Sequence, residues 1–303
     1  MSAVAPAVPR AAAREARLRP TRLPLYALAV VLSCLFMGPF LFSLMSSLKA
    51  PTELYAMPPV LVPSPPQWHN YVDVWSYRGI PFTSFYVNSV LIALSAMLGN
   101  LLTSTLSAYG FARFRWRGRD LVFMVLLSTL VLPEEVVIIP KFLMFHLVPD
   151  RLFGHTWIDT WWPLIVPAWV GGRAFDVFLL RQFLMGIPRE LDEAAVIDGA
   201  GYGQILFRVL LPLAKPALAT VAIFSFLAHW NDFIHPLIYL SSTNKFPLSV
   251  GLRWFQQQPS DPTEPREHLL MAAALLMILP CVALFFSMQR YFVRGIVLSG
   301  LKG

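Results

Sequence analysis

The sequence predicts an all-α membrane protein with six transmembrane helices and both termini on the cytoplasmic side. Of its 303 residues, 56% are hydrophobic and only 14% charged, where an ordinary soluble domain carries roughly 25% charged residues. The mean hydropathy is +0.59. The apolar residues gather into several stretches close to membrane-spanning length, which disfavours a single oversized soluble core. Basic residues sit asymmetrically at the ends of those stretches, as topology signals do.

The elements follow in order. Residues 1–24 combine Ala, Pro and Arg without an apolar period and are expected to be a disordered, basic cytoplasmic tail. Arg10, Arg14, Arg17, Arg19 and Arg22 then precede the apolar run Leu25–Leu48. A basic region before an apolar one resembles a signal peptide, but the run is long for an h-region and no A-x-A site follows, so a retained first span is expected. Five further spans are predicted at Phe85–Ala112, Leu121–Phe145, Trp161–Leu180, Leu211–Leu240 and Leu269–Phe292. Each can cross a hydrocarbon core of about 30 Å at a rise of about 1.5 Å per residue. With the N-terminus inside, the cytoplasmic segments hold 16 basic residues and the outer segments 7, a clear positive-inside bias. The proline-rich stretch 49–84, with Trp68 and Trp75, is expected as an extended, non-helical loop at the membrane surface. Trp157, Trp161 and Trp162 mark a span boundary, and residues 241–268 form a second outer loop. No internal repeat and no second soluble domain is visible.

A net charge of +7 suits nucleic acid only if a basic, aromatic-laced polar domain carries it, and there is none; no nucleic-acid partner is expected. Cys34 and Cys281 lie in apolar runs and have neither metal-ligand nor disulfide spacing.

Between the fourth and fifth spans the chain reads Ile187-Pro188-Arg189-Glu190-Leu191-Asp192-Glu193-Ala194-Ala195-Val196-Ile197-Asp198-Gly199-Ala200. Pro188 suits a first helical turn. Glu190, Asp192 and Glu193 fall where the helix dipole favours acids, and Gly199 can end the helix in a left-handed cap. A short helix over Glu190–Asp198 is expected, then a break and a second helical stretch into span five. An amphipathic helix lying on lipid is one reading. The other is a docking surface for a protein: Ala194 and Ala195 allow close approach, and the acidic start suits anionic lipid poorly.

Glu193-Ala194-Ala195, Gly199 and Val209-x-Leu211-Pro212 resemble the E-A-A-x3-G-x9-I-x-L-P motif of ABC importer permeases, with Val in place of the usual Ile. Phe178-Leu179-Leu180-Arg181-Gln182-Phe183, Asp198-Gly199-Ala200, Leu211-Pro212-Leu213-Ala214-Lys215-Pro216, Trp230-Asn231-Asp232-Phe233 and Gln289-Arg290-Tyr291-Phe292-Val293-Arg294-Gly295 resemble the carbohydrate-uptake branch. Within it the similarity is closest to the maltose-type second permease subunit. The resemblance covers about residues 25–303. It implies a five-helix type I permease core over about 85–293, with the first span added and a coupling loop over about 187–212. Glu193, Ala194, Ala195, Asp198, Gly199 and Pro212 would then couple to a cytoplasmic ATP-binding subunit dimer. Leu301, Lys302 and Gly303 would end a tail reaching that ATPase. A second permease subunit and an extracytoplasmic solute-binding protein would complete the complex in a bacterial or archaeal plasma membrane. This chain has no G-x-x-x-x-G-K-[ST] loop. No cofactor is therefore expected in it, and ATP and Mg belong to the partner.

Three polar clusters interrupt the spans. Glu134 and Glu135 follow Pro133 and are expected to face outer water at a helix end. Arg173 and Asp176, at i and i+3, are expected to form a structural ion pair. Trp230, Asn231 and Asp232 break span five and are candidate pathway residues, since polar groups at membrane depth must be buried in protein or line a wet cavity. A stand-alone proton- or sodium-driven transporter is the alternative function, with Glu134, Asp176 and Asp232 as its relay. An intramembrane enzyme lacks any H-E-x-x-H or G-x-S-x-G constellation.

Overall fold

In the computed structural model the described residues are 23–77, 79–257 and 266–299, with side chains described to residue 289. The expected tail 1–24 lies almost wholly outside them, as do Leu301, Lys302 and Gly303. Every regular element among the described residues is helical. Four helices are long and apolar enough to cross a membrane, or six if each of two bent helix pairs counts as one span.

Helix α1 (Leu23–Ser47) is apolar on every side and exposed along nearly all its length. Its last turn is fastened by buried Asn70, whose amide donates to the carbonyls of Ser47 (2.8 Å) and Lys49 (3.0 Å). The stretch 49–84 departs from the expected helix-free loop: Asn70–Ser76 forms a helix that buries Asn70 and Val74. A prolines-only reading missed it because the last ten residues before Pro81 carry none.

Helix α2 (Phe82–Arg113) is the hub. Its Ala93, Ala96, Gly99, Ala108 and Ala112 are buried, letting the backbones of α5 (Ala174–Met185) and α7 (Lys215–Trp230) approach, as small residues do at membrane helix contacts. The third span is not the continuous helix expected over Leu121–Phe145. Helix α3 (Arg119–Ser128), extended to Val131, and α4 (Glu134–Phe153) meet at 105°. Pro133 is the cause: it lacks a donor and pushes Leu132 into an extended conformation (ψ 119°). The fourth span, Trp162–Met185, is interrupted at Gly171 and Gly172, both left-handed (φ 86° and 76°). The fifth is shorter than expected, α7 ending at Trp230 with a separate helix at Ile234–Tyr239.

The second expected loop, 241–268, instead contains α8 (Leu248–Gln257), whose Leu248, Val250, Gly251 and Phe255 are buried. Helix α9 (Glu267–Ser299) completes the set and packs on α1 and α7. Two apolar cores result. One, around Tyr109, Leu180, Leu206 and Leu210, lies at the Arg113 end of α2. The other, around Phe82, Phe85, Trp230, Leu248 and Ala272, lies at its Phe82 end.

Candidate functional site

The motif segment folds as expected. Helix α6 (Glu190–Ile197) follows Pro188 and closes in a paired C-terminal turn. The Ala200 amide donates to Ala195 O and the Gly199 amide to Val196 O, both at 2.9 Å, with Gly199 at φ 82°. This is the Schellman geometry that an L side chain at that position resists.

The acids of its first turn have different partners. Asp192 turns back to the end of α2 and pairs with Arg113 (Oδ2–Nε 2.9 Å), the two side chains being 19% and 6% exposed. Arg113 also donates from Nη2 to Ile187 O (3.0 Å), and Arg189 donates to Ala112 O (3.4 Å). Tyr109 Oη donates to Tyr202 O (3.1 Å), while the Tyr202 ring meets Phe114 edge-on at 5.1 Å. One edge of α6 is thus bolted to α2. Arg113 was read in the sequence only as a topology signal, and its pairing across 79 positions of chain left no local trace.

The other edge is bare. No residue of α6 is buried. Glu193, Ala194, Val196 and Ile197 are exposed, Ile197 at 86%, and Ala195 and Asp192 are half-buried. Glu193 makes no ion pair among the described residues. The chain then continues through Tyr202–Gln204 into a π-helical turn, Ile205–Leu210, which buries Ile205, Leu206 and Leu210. Exposed Pro212 sits just before an 83° bend into α7. The expected break falls between Asp198 and Gly201, and a π turn followed by Pro212 and Pro216 adds a second bend that was not expected, since neither proline can donate to the ladder.

At membrane depth the outcome is mixed. Glu134 and Glu135 are exposed in the first turn of α4, beyond a helix end at Pro133 where one was expected. The expected Arg173–Asp176 ion pair does not form. Asp176 is buried and accepts from Asn100 Nδ2 (2.8 Å), while exposed Arg173 occupies the N-cap position of α5 without a side-chain capping bond, and its backbone amide donates to Asn100 Oδ1 (2.9 Å). The break in span four frees backbone groups, and one stripe of α2 satisfies them: Thr103 Oγ1 donates to Ala168 O (3.1 Å) and Ser107 Oγ to Gly171 O (3.2 Å). Asn100, Thr103, Ser104 and Ser107 are spaced as one helix face. A polar stripe of this spacing inside an apolar span is the mark such a contact leaves in the sequence.

The three candidate pathway residues separate. Trp230 is 1% exposed, stacks on Phe226 at 5.3 Å and donates to Met277 O (3.1 Å), so it is a core residue here and not open to a passing solute. Asn231 is exposed and caps α7 by donating to Leu227 O (2.9 Å). Asp232 is half-buried and pairs with His235 (Oδ2–Nδ1 3.1 Å).

At the Phe82 end, Asp159 ties three connections together. It adopts φ 59°, accepts the amides of Ser241 and Ser242 (both 2.9 Å) and the Ser242 hydroxyl, and pairs with Lys245 (2.9 Å). Burial alone would raise its carboxyl, but Ser242, the Ser241 amide and Lys245 outweigh that and hold it well below the usual carboxylate range. Beside this knot lies a cavity of about 680 Å³ lined by Asn88, Thr160, Trp161, Trp162, Asn244 and Lys245 among others.

Residues 99–298 match the family model described as the binding-protein-dependent transport system inner membrane component. The arabinooligosaccharides transport system permease protein AraQ of Halalkalibacterium halodurans is 34% identical over 88% of this chain and 91% of its own length. The sn-glycerol-3-phosphate transport system permease protein UgpE of Yersinia enterocolitica is 34% identical over 81% of this chain and 85% of its own. A chain of a bacterial ABC transporter involved in the import of the acidic polysaccharide alginate shares the fold, with a TM-score of 0.76 at 22% identity, covering 91% of this chain and 99% of that one. A dependence on a binding protein runs against the stand-alone ion-coupled transporter. The chain belongs to the binding-protein-dependent transport system inner membrane component family, the membrane-spanning permease subunits of ABC importers.

Proposed function

We propose that this permease imports a sugar or a related hydroxyl-rich solute, and that α6 is the element through which a partner ATPase drives it. The observation that carries the coupling role is the two-sidedness of α6: one edge is bolted to the hub helix through Arg113–Asp192, and the other exposes Ile197, Val196, Ala194 and Glu193. An apolar, small-faced edge of this kind is unlike a lipid-lying helix with a basic polar face. Glu193, Ala194, Ala195, Asp198 and Gly199 form the docking edge, and Pro212 stands where the following chain turns into the bundle. Leu301, Lys302 and Gly303 extend the same contact. ATP and Mg are bound by the ATPase dimer, whose closure moves α6, and the bundle rocks between inward- and outward-facing arrangements as a rigid body.

Residues 25–303 constitute the permease domain, with both termini and α6 on the cytoplasmic side. It lines half of the pathway, a second permease subunit lines the rest, and a solute-binding protein delivers cargo to the Phe82 end. The solute class is supported by the two relatives named for an oligosaccharide and a polyol phosphate. The cavity beside Asp159 offers indole, amide and hydroxyl groups suited to such a molecule. Asn231 and Asp232 remain the pathway side chains of span five.

Co-purification of the ATPase with Glu193→Ala and with Gly199→Ala tests the coupling role. Gly199→Ala forces a side chain into left-handed backbone at a cost of about 1–2 kcal/mol, though no atom crowds the new Cβ. Both variants should insert normally yet lose ATPase retention or ATP-driven uptake. Full uptake in both would sink the proposal.

A further inference from the structure

The turn joining α2 to α3 carries a cluster of charge that the proposed coupling edge does not use. It reads Phe114-Arg115-Trp116-Arg117-Gly118-Arg119-Asp120-Leu121. Arg115, Trp116, Arg117 and Gly118 are exposed, and Gly118 turns left-handed (φ 83°) to start α3. Arg115, Trp116, Gly118, Arg119, Asp120 and Leu121 enclose a concavity of about 300 Å³.

The charge there is unbalanced. Asp120 is the one carboxylate lining it, and its Oδ1 is taken by Arg119 Nε at 2.9 Å. Arg119 also donates to Phe114 O (3.4 Å), which fixes its guanidinium at the rim. Arg115 and Arg117 have no ion pair among the described residues. Arg181 reaches the same corner from α5, its guanidinium 4.1 Å from the Phe123 ring. Arg115 and Arg119 therefore line the recess against one carboxylate, with exposed Arg117 in the same turn and Arg181 behind it, beside the first amides of a ten-residue helix.

The geometry points to a binding site for an anionic glycerophospholipid, with the headgroup phosphate at Arg115 and Arg119 and the acyl chains along α3. A free phosphate would need only the arginines. A phospholipid also needs an apolar track leading from the mouth, and Leu121, Met124 and Val125 supply one, all exposed on the same helix. Trp116, 44% exposed, lies in the turn between two apolar helices, and indoles at span ends favour the headgroup layer. Basic recesses between spanning helices favour such headgroups. The site is independent of ATPase docking, so either reading can fail without the other.

The test uses the full chain, purified with its co-purifying subunits and offered equal amounts of phosphatidylglycerol and phosphatidylcholine with matched acyl chains. Native mass spectrometry reads retained lipid. Phosphatidylglycerol should be retained preferentially. R115Q/R117Q should lower that preference roughly 25-fold, at about fivefold per arginine near the headgroups. R208Q/K215Q, which removes two other basic residues at the same end, should leave it unchanged. If R115Q/R117Q fails to fold, R115Q alone should still lower the preference about fivefold. Equal retention of the two lipids, an unchanged preference in the arginine variants, or displacement of bound lipid by millimolar inorganic phosphate would each overturn the proposal, the last by showing a site for the free anion.

Discussion

Asp159 shows how one carboxylate can hold an outer surface together. It collects two amides, a hydroxyl and an ammonium group from the chain 82 to 86 positions onward. Its carboxyl is held below the ordinary value, which is near 3.9 for a free aspartate. A depressed folded pKa contributes stability that is present above the unfolded value and is lost as pH falls toward the folded one. Asp159→Asn keeps a residue that tolerates φ 59°, but it removes the charge and turns one of the two acceptor oxygens into an amide donor, so the acceptor shared by the Ser242 hydroxyl and the Lys245 ammonium is lost. It should lower stability by about 1–3 kcal/mol at neutral pH, the usual worth of hydrogen bonds to a charged group. The gap between wild type and variant should narrow below about pH 4. Thermal melts of both proteins across pH check this, and a gap that is constant from pH 7 to pH 3 would contradict the assignment. Nothing in the sequence marked this residue, because its partners are scattered over a loop whose course depends on the folded bundle. Trp230 teaches the converse: a break in an apolar run read as a pathway feature, while the indole's place was set by packing on Phe226 and by the Met277 carbonyl.

Spans one, two and six were legible from apolar length alone, and the short helix α6 from its proline, acids and glycine, because those signals are local. The bends were not. At Pro133 the sequence already held the cause, since a proline and two acids restart a helix more readily than they continue one. In span four the break depends on α2, whose Asn100, Thr103 and Ser107 satisfy groups 64 to 76 positions away. Two adjacent glycines there play unequal parts. A Cβ on Gly172 would lie 2.7 Å from Ser104 Cα and 2.8 Å from its amide nitrogen, whereas one on Gly171 would meet nothing within 4 Å. Gly171→Ala should cost only the left-handed strain, about 1–2 kcal/mol. Gly172→Ala should add a backbone clash that forces α2 and span four apart and should sharply reduce folded protein. Size-exclusion yield after membrane extraction distinguishes them; equal yields would mean that the contact with α2 is dispensable.

The proposed orientation of the whole bundle rests on charge. The arginine-rich end carries the motif helix and the α2–α3 turn, and the positive-inside rule assigns such an end to the cytoplasm. Reporter fusions after Gly303 and within 258–265 should therefore report opposite sides, with the C-terminal fusion cytoplasmic. A C-terminal reporter active only outside the cytoplasm would invert the topology and with it the placement of α6.

The clamp between Arg113 and Asp192 fixes α6 to one end of a helix of 32 residues. At a rise of about 1.5 Å per residue that helix is roughly 48 Å long. It acts as a lever: a tilt of about 10° imposed at α6 would sweep the far end through roughly 8 Å. That far end carries Asn88, which holds the carbonyls of Asn244 and Phe246, and Ser89, which accepts the Leu248 amide. On the proposed coupling, a small rotation at the motif helix would be geared up into displacement of the cavity walls at the Phe82 end, with the arginine clamp as the linkage that keeps the two ends in step.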